Sequence, residues 1–583
     1  MEILAVDHCD LDRRFGQGAR GIQPTKSRAD DDNSRSIAHD LLSLTLLLGP
    51  YLYKIHAMAD GSRSSALAGT RENALVRWLM PSVADLVFVA LLASLLFTPL
   101  SVKLLGDAGI GWHIRTGQLI LHTHTIPRVD PFSSQVNKPW IAWEWLYDVI
   151  LGWLDHWAGL NGIVWFTGVV IATVFAALFR LVNKPGTGFL IALLLTLLAL
   201  SSSMIHFLAR PHVLSWLFAL VWIWILDCAE GPIPQDGRRL WLLPVLMLVW
   251  VNVHGGFLLG FVLLGIFWLG SLGTWLRLKE SRIEESLQKI AAGKRVRQLT
   301  LVGLTAAVAS LVNPYGWYLH EHIYRYLTNR FLMDHIDEFQ SPNFHGVAQR
   351  CFLVLLLITI AALIANGRKL RTGEILLVLF AVYAGLYASR NIPVSSILLA
   401  GIVAALIPSR GSWGFLHRMG TVDATVRGHL WPTLATVATL VIAANAGRVG
   451  SMVLMNARFN PQRMPVDAMN FVANSGFKAP VFSPDYWGGY LIYRLYPHNH
   501  VVIDDRHDFY GEPWLQSYLR TIHVEPGWEE FLKGQRCVVL PRKAALTEIL
   551  RKTPEWKAVY SDDVAMVFLS SRTPPDSDKL AGY

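Results

Sequence analysis

Long apolar runs separated by short polar turns fill most of the chain between residues 81 and 450. Several of these runs approach the roughly 20 residues that a helix needs to cross a lipid bilayer. The pattern predicts a polytopic α-helical membrane protein with about eleven spans, within a range of about 10 to 13. The predicted spans lie at about 83–104, 161–181, 188–206, 212–227, 239–252, 255–276, 298–315, 351–366, 373–388, 392–408 and 429–449.

After about residue 455 the pattern changes to short apolar segments that alternate with amphipathic ones. Strands alternating with helices predict a soluble α/β domain over 455–570, followed by a tail at 571–583. It contains no Gly-rich phosphate loop or other nucleotide fingerprint. The predicted strands are 480–483, 500–504, 536–540, 557–560 and 564–569, with helices near 485–495, 526–533 and 543–551.

The first 80 residues are polar and mixed, with an acidic run at Asp30–Asp32. No charged segment followed by an apolar core and a small-residue cleavage site marks a signal peptide there. We therefore expect residues 1–80 to form a disordered cytoplasmic tail.

Composition agrees with a membrane protein. Of 583 residues, 52% are hydrophobic and 16% charged, whereas globular domains are nearer a quarter charged. The net charge of +9 fits Lys and Arg beside anionic lipid, so nucleic acid is not expected as a partner. The four cysteines form no CxxC pair, which indicates neither a disulfide framework nor a zinc site.

Lys and Arg in the short loops predict the orientation of the chain. The richest loop, 277–297, is expected in the cytoplasm, and the arginine-bearing turns at 368–371 and 410–427 agree with it. The N-terminus is then inside, whereas the C-terminal domain and a long first loop, 105–160, are extracytoplasmic. Segment 142–158 is predicted to be an interfacial amphipathic helix. If it spans instead, a weaker span such as 239–252 is lost.

The first loop contains many ionisable and aromatic residues, which are candidates for a functional site. They lie in the stretch GDAGIGWHIRTGQLILHTHTIPRVDPFSSQVNKPWIAWEWLYD. Asp107 follows the first span by a few residues, so its carboxylate is expected at the membrane–water boundary, where it suits a general base. His113 and Arg115 lie on the polar side of the next segment, Arg128 lies in a proline-bounded turn, and Glu144 lies between two tryptophans. We take Asp107, His113 and Glu144 as candidate catalytic residues. The alternative is an interfacial helix with tryptophan anchors.

Four polar breaks later in the chain are predicted on the same face as this loop. They are HFLARPH, WVNVHGGF, LVNPYGW and ASRNIP. Ionisable residues at membrane depth are functional candidates, although arginine at a helix end also extends to the interface without any such role. Because a guanidinium can hold two phosphate oxygens, these breaks favour a lipid-linked phosphate. The candidate binding residues are Arg115, Arg128, Arg210, His212, His254 and Arg390.

Two motifs distinguish the C-terminal domain, DYWGGYLIYRLYP and VVIDDRHDFYG. In the second, Asp504, Asp505, Arg506 and Asp508 end a predicted strand, a common ligand position in α/β sheets. An ordinary cluster of salt bridges at a strand end is the alternative.

Taken together, these motifs resemble bacterial membrane proteins of the glycosyltransferase C superfamily over about residues 80–570. Relatives of that group include the dolichyl- and undecaprenyl-phosphate-sugar transferases and the oligosaccharyltransferases. The resemblance implies that the acid just after the first span is catalytic, and Asp107 matches that position. The superfamily often shows two acids close together, whereas this chain has a lone GDAG. A divalent cation bound by Asp107 and Glu144 is therefore a possible cofactor rather than an expected one.

The resulting expectation is a glycosyltransferase of the bacterial inner membrane and cell envelope. It would move a hexose or pentose with inversion from a polyprenyl-phosphate donor to an extracytoplasmic lipid or glycan acceptor. Arg210 and Arg390 would hold the leaving phosphate, and the C-terminal domain would cover the site. The alternatives are a transporter or flippase of lipid-linked saccharide, and a non-catalytic envelope-assembly protein with the same fold.

Overall fold

The computed structural model describes residues 78–135, 137–183, 187–228, 237–279, 283–366, 370–407, 423 and 429–571. The tails predicted at 1–80 and 571–583 fall almost wholly outside these residues. So do most of the arginine-bearing turns at 368–371 and 410–427.

Helices dominate the chain up to residue 444, and each of the eleven predicted spans contains one. They are α1 (Val83–Phe97), α2 (Leu100–Leu104), α3 (Ile110–Thr123), α4 (Trp145–Val182), α5 (Phe189–Ser203), α6 (His212–Cys228), α7 (Leu242–Trp250), α8 (Leu258–Arg277), α9 (Ile283–Ser310), α10 (Trp317–Thr328), α11 (Arg330–His335), α12 (Val347–Ala365), α13 (Thr372–Tyr387), α14 (Ile392–Leu406) and α15 (Leu430–Ala444). Short 3-10 turns lie at Met204–His206, Gly237–Trp241, Gly255–Phe257, Asp337–Phe339 and Ser389–Asn391.

By length and composition, five helical segments in the described part of the chain can cross a membrane. They are Trp145–Val182, Phe189–His206, Gly255–Arg277, Val347–Ala365 and Ser389–Leu406. Four more apolar helices, α1, α6, α13 and α15, are shorter. The segments predicted at 239–252 and 298–315 do not qualify. The first holds only the nine-residue α7, and the second is the end of α9, which is 28 residues long and begins among charged residues. The chain is a multi-pass membrane protein, but the predicted count of about eleven spans is not confirmed.

Helix α4 joins the predicted interfacial segment to the following span. It runs for 38 residues with a kink at Gly159, whose φ of 59° and ψ of −153° lie outside the helical range. A positive φ favours glycine. The kink falls in the gap between the predicted segments 142–158 and 161–181, and the first half exposes Trp153 and Trp157 as a stacked pair.

The C-terminal domain combines short helices with a mixed four-stranded sheet. A two-residue hairpin, β1 (Arg448–Val449) with β2 (Met452–Val453), precedes it. The sheet strands are β3 (Val481–Phe482), β4 (Cys537–Pro541), β5 (Trp556–Ser561) and β6 (Ala565–Ser570), and the helices are α16 (Val466–Asn474), α17 (Asp485–Leu495), α18 (His507–Tyr510), α19 (Glu512–Ile522), α20 (Glu529–Leu532) and α21 (Ala545–Leu550). The order is β3-β4-β6-β5, with β3 parallel to β4 and the other pairs antiparallel. The predicted α/β pattern is present, although α16, α18 and α19 were not predicted.

The first loop extends this sheet at its β3 edge. Val501 forms parallel bridges both to Val481 in β3 and to Ser133 in the loop. The backbone N–H of Val501 donates to the carbonyl of Phe132 at 3.0 Å, and the N–H of Ser134 donates to the carbonyl of Val501 at 2.8 Å. The segment predicted as a strand at 500–504 is therefore a pair of isolated bridges rather than a regular strand. It joins the loop and the C-terminal domain by main-chain hydrogen bonds.

Glycines bring helix α17 of the C-terminal domain into backbone contact with the start of α3. A Cβ at Gly489 would lie 2.3 Å from the carbonyl oxygen of Ala108, and one at Gly111 would lie 2.2 Å from the carbonyl oxygen of Gly489. No side chain fits between these backbones. The paired glycines of DYWGGY thus place α17 directly against the segment that carries Asp107.

We expect Gly489→Ala to weaken this contact. The added methyl would force the backbones apart, at a cost of about 1–3 kcal/mol. Gly401→Ala is the matched control, because a Cβ at this helical glycine meets nothing within 4 Å and should stabilise α14 by about 0.5–1 kcal/mol. Thermal unfolding of the two purified variants measures the difference. Equal midpoints would show that the close contact does not matter.

Candidate active site

Asp107 lies in the turn between α2 and α3, at the end of the first helical pair. The backbone N–H of Gly109 donates to its Oδ1 at 2.7 Å. Its Oδ2 lies 3.5 Å from the Nε of Arg210. The carboxylate is therefore oriented from both sides, by a turn within its own loop and by an arginine from another.

Arg210 is held next to Asp107 by the turn HFLARPH. The N–H of Ala209 donates to the carbonyl of Leu104 at 2.8 Å, which ties this turn to the end of α2. The Nη1 of Arg210 donates to Oδ2 of Asp505 at 2.9 Å. A single guanidinium thus joins an acid of the first loop to an acid of the C-terminal domain.

Asp505 reaches the site from the segment that follows Val501. Its second oxygen, Oδ1, accepts a hydrogen bond from the indole N–H of Trp112 at 3.0 Å. Burial raises the pKa of Asp505 to about 6, although the charge of Arg210 acts in the opposite direction. The side chains of Asp107, Arg210 and Asp505 remain 27%, 22% and 17% exposed. They are accessible from outside, as a substrate site requires.

Arg390, from the break ASRNIP, pairs with Glu338. Its Nη1 is 3.4 Å from Oε1 of Glu338, and its guanidinium lies 4.4 Å from the ring centroid of Phe339. Burial alone would raise the pKa of Glu338, but the charges of Arg390 and Arg210 hold it at about 2. Arg390 and Arg210 are thus both within electrostatic range of Glu338.

His212 lies two residues after Arg210, and its side chain makes its hydrogen bond within its own turn. Its Nε2 donates to the backbone carbonyl of His206 at 2.9 Å, and the two imidazole rings lie edge to face with centroids 5.7 Å apart. This hydrogen bond holds the turn before α6 in shape. The predicted contact of His212 with substrate remains a proposal.

Glu144 lies between two histidines. Its Oε2 is 3.8 Å from Nε2 of His113, and its Oε1 is 3.7 Å from Nε2 of His254. Beyond them, Nδ1 of His113 lies 2.6 Å from Oδ1 of Asp148, and Nδ1 of His254 lies 2.8 Å from Oγ of Ser215. Burial raises the pKa of Glu144 to about 8 and lowers that of His113 well below its usual range. Both groups are therefore neutral near neutral pH.

Arg506 anchors the loop to the C-terminal domain beneath the site. It donates to Asp504 at 2.8 and 2.7 Å and to Asp130 of the first loop at 2.7 Å. All three side chains are at most 2% exposed. Four aromatic rings, those of Trp112, Phe132, Trp140 and Phe509, surround the guanidinium with centroids 4.7–5.8 Å away. Burial alone would raise the pKa of Asp130, but Arg506 holds it below its ordinary value.

Two predicted arginines hold loops in place. Arg115 donates through Nε to the backbone carbonyl of Tyr493 at 3.0 Å and through Nη1 to Gln118 at 2.9 Å, which fixes the end of α17 to α3. Arg128 donates to the carbonyl of Pro314 at 3.0 Å and lies 4.6 Å from the ring centroid of Tyr315. The turn LVNPYGW therefore contacts the loop, as its predicted position on the same face requires.

Three of the four polar breaks contact the first loop, through Arg210 with Asp107, His254 with Glu144 and Pro314 with Arg128. The fourth, ASRNIP, contacts Glu338 through Arg390.

The structure also adds residues that the sequence does not single out. Ser215 lies in the apolar helix α6, where the sequence gives no signal for it. Glu338 lies in the 3-10 turn Asp337–Phe339, in a polar segment where nothing distinguishes it from its acidic neighbours. The sequence marks Asp508 only as part of a strand end, and its carboxylate pairs with Nε2 of His322 at 2.9 Å. Asp148 falls in the segment predicted as an interfacial helix, yet it is buried beside His113.

The residues around Asp107 do not fit a divalent cation. Within the described ranges, no group of three or more His, Cys, Asp or Glu side chains is placed to hold a metal ion. The guanidinium of Arg210 lies between Asp107 and Asp505, where a bridging cation would be expected. The positive charge between the two acids thus comes from arginine.

No family model matches this chain, and no curated protein matches it. Among solved structures, it is similar to the oligosaccharyltransferase AglB from Archaeoglobus fulgidus in complex with an inhibitory peptide and a dolichol-phosphate. The identity is 10% and the TM-score 0.48, over 84% of this chain and 74% of that one. It is also similar to ArnT from Cupriavidus metallidurans bound to undecaprenyl phosphate, with 14% identity and a TM-score of 0.43 over 86% and 98%. The apo state of the same ArnT gives 14% and 0.44, over 82% and 96%.

Proposed function

We propose that this protein is a membrane glycosyltransferase that transfers a sugar from a polyprenyl-phosphate donor to an extracytoplasmic acceptor. The observation that carries the proposal is the partly exposed cluster Asp107–Arg210–Asp505, close to the Arg390–Glu338 pair. A carboxylate beside arginines at the end of membrane helices combines a base with a site for a phosphate leaving group.

In the proposed reaction Asp107 accepts the proton of the acceptor hydroxyl. The hydroxyl oxygen attacks the anomeric carbon as the bond from that carbon to the phosphate oxygen breaks. The bonding electrons leave with the polyprenyl phosphate, whose charge is stabilised by Arg210 and Arg390. A single displacement of this kind inverts the anomeric centre.

The orientation follows from the distribution of basic residues. The positive loop 277–297 is assigned to the cytoplasm of a bacterial cell, so the cluster and the C-terminal domain face the extracytoplasmic side of the inner membrane. The donor lipid would enter between the membrane helices on that side. The acceptor, a lipid or a glycan, would approach from the C-terminal domain.

The stereochemistry of the product tests the mechanism. Reconstituted protein is supplied with a panel of short-chain polyprenyl-phosphate hexoses and pentoses and a mixed lipid and glycan acceptor pool. We expect one donor to give a glycoside of inverted anomeric configuration, read by NMR, together with stoichiometric polyprenyl phosphate. A retained configuration would contradict the single displacement, and turnover of no donor would contradict the function.

Asp505→Asn should lower transfer less than loss of the base does. Asparagine keeps an oxygen for the indole N–H of Trp112, but removes the negative charge that orients Arg210. Because charged hydrogen bonds contribute about 1.5–3 kcal/mol, we expect the turnover number to fall about ten- to hundredfold. Steady-state rates against the donor measure this. An unchanged rate would exclude Asp505 from the site.

A further inference from the structure

The side chains of His113 and His254 both face the carboxyl group of Glu144, but their nitrogens are too far from its oxygens for direct hydrogen bonds. The two Glu144–histidine distances, 3.7 and 3.8 Å, exceed the 2.7–3.2 Å of a direct hydrogen bond. The Nε2 of His113 is fully buried and has no hydrogen-bond partner. Leaving such a group unsatisfied is unfavourable, so the geometry calls for an oxygen atom supplied from elsewhere.

The outer contacts of His254 determine which of its ring nitrogens carries the proton. At His254, Nδ1 accepts from the N–H of Gly256 at 3.1 Å and lies 2.8 Å from the hydroxyl of Ser215. That hydroxyl in turn accepts from the indole N–H of Trp250 at 2.7 Å, which leaves its own proton for Nδ1. The proton of a neutral His254 is therefore on Nε2, pointing to Glu144.

His113 is held on its other side by Asp148. Its Nδ1 lies 2.6 Å from Oδ1 of Asp148, so Nε2 is the ring atom that is left to face Glu144. Burial raises the pKa of Glu144 to about 8, so Glu144 is protonated near neutral pH and carries no charge. A neutral carboxyl group beside the donor Nε2 of His254 suits a hydroxyl group, which both donates and accepts, better than an anionic phosphate.

We propose that Glu144, His113 and His254 form a subsite for one hydroxyl group of the saccharide, separate from the arginines that hold phosphate. The inference rests on the proposed function and deepens it. A hydroxyl oxygen beside Glu144 can accept from Nε2 of His254 and from the O–H of a protonated Glu144. The hydroxyl belongs either to the donor sugar or to the acceptor, and both sources offer the same chemistry.

The test combines removal of the subsite with removal of the hydroxyl. Wild type, His254→Phe and Glu144→Leu are assayed with a short-chain polyprenyl-phosphate hexose and an alkyl hexoside acceptor. Each ligand is then replaced in turn by its monodeoxy analogues. Asp334→Asn is the matched control, since its carboxylate is 60% exposed and belongs to an exposed pair with Arg330.

We expect one monodeoxy analogue to raise the KM of the wild type and of Asp334→Asn about tenfold or more. The same analogue should have no further effect in His254→Phe and Glu144→Leu, because two changes to one contact are not additive. An effect among donor analogues identifies the donor sugar, and an effect among acceptor analogues identifies the acceptor. Equal effects of every analogue in wild type and variants would overturn the subsite alone. No turnover by the wild type would overturn the proposed function and the subsite with it.

The pH dependence of affinity in Glu144→Gln is a second test, because a purely structural role of Glu144 would not change it. The amide keeps a donor and an acceptor but cannot ionise. Since the pKa of Glu144 is raised to about 8, the wild type should lose donation to the hydroxyl, and with it affinity, as the pH rises above that value. Glu144→Gln should lack this alkaline loss, and an unchanged profile would contradict the proposal. The charged and titratable groups around Glu144 are His113, His254, Tyr147, Asp148, Arg210, Arg390, Asp505 and Asp508.

Discussion

Asp107→Asn is expected to lower the rate of sugar transfer by about 10²–10⁴-fold, the usual contribution of a positioned general base. Asparagine has the same shape and keeps the oxygen that accepts from the N–H of Gly109. It cannot take the proton of an acceptor hydroxyl. The initial rate of transfer in washed membranes, normalised to the amount of protein, measures the effect.

The control for this variant is Asp334→Asn, which removes a carboxylate from an exposed ion pair. It should transfer sugar at the wild-type rate. Asp107→Asn should also match the wild type in expression, membrane insertion and thermal unfolding, so that the loss is chemical. A variant at Asp107 that keeps the full rate would remove this residue from the reaction.

Arg506→Met is expected to be the most destabilising single change in the C-terminal domain. It would leave Asp130 and Asp504 fully buried without their counter-charge. Removing one partner from a buried ion pair costs about 3–5 kcal/mol. It would also empty a guanidinium position enclosed by aromatic rings, where cation–π contacts add stability. Since Asp505 directly precedes Arg506, transfer should fall together with stability.

Arg542→Met is the matched control for Arg506→Met. Arg542 pairs with Asp563 at 3.0 Å, but its side chain is 48% exposed and that of Asp563 is fully exposed. Exposed pairs contribute about 0–1 kcal/mol. Thermal unfolding and limited proteolysis of the two variants should therefore differ clearly. Equal midpoints would mean that Arg506 does not hold the loop to the domain.

Hydrophobic periodicity predicted the helices well because it depends only on residues that are close together in the chain. Every predicted span contains a helix, and the break between 158 and 161 falls at the kink of Gly159. Strands β3 to β6 also lie where short apolar segments indicated them. Periodicity does not predict whether a helix is long enough to cross a membrane. Helix α7 has only nine residues, although the apolar run around it is longer.

Contacts between distant parts of the chain could be predicted only in part from the sequence. The bridge of Ser133 to Val501 is made by backbone atoms, and a main-chain hydrogen bond has no residue preference that a sequence could show. The strand-end cluster shows both alternatives at once. Arg506 does form ordinary buried salt bridges with Asp504, whereas Asp505, the residue between them, points to Arg210.

The glycine pair of DYWGGY indicates a close backbone contact. Adjacent glycines inside a helix are unfavourable unless another backbone approaches closely. In the structure, Gly489 meets Ala108, one residue from Asp107. A close approach was therefore predictable at this position, but its partner was not.

The most direct test of the central claim is the release of polyprenyl phosphate from a labelled polyprenyl-phosphate sugar by purified protein in liposomes. The wild type should release the lipid phosphate in step with formation of the glycoside, and Asp107→Asn should release it at a rate about 10²–10⁴-fold lower. Equal release by the two proteins, or none from any donor by the wild type, would contradict the account.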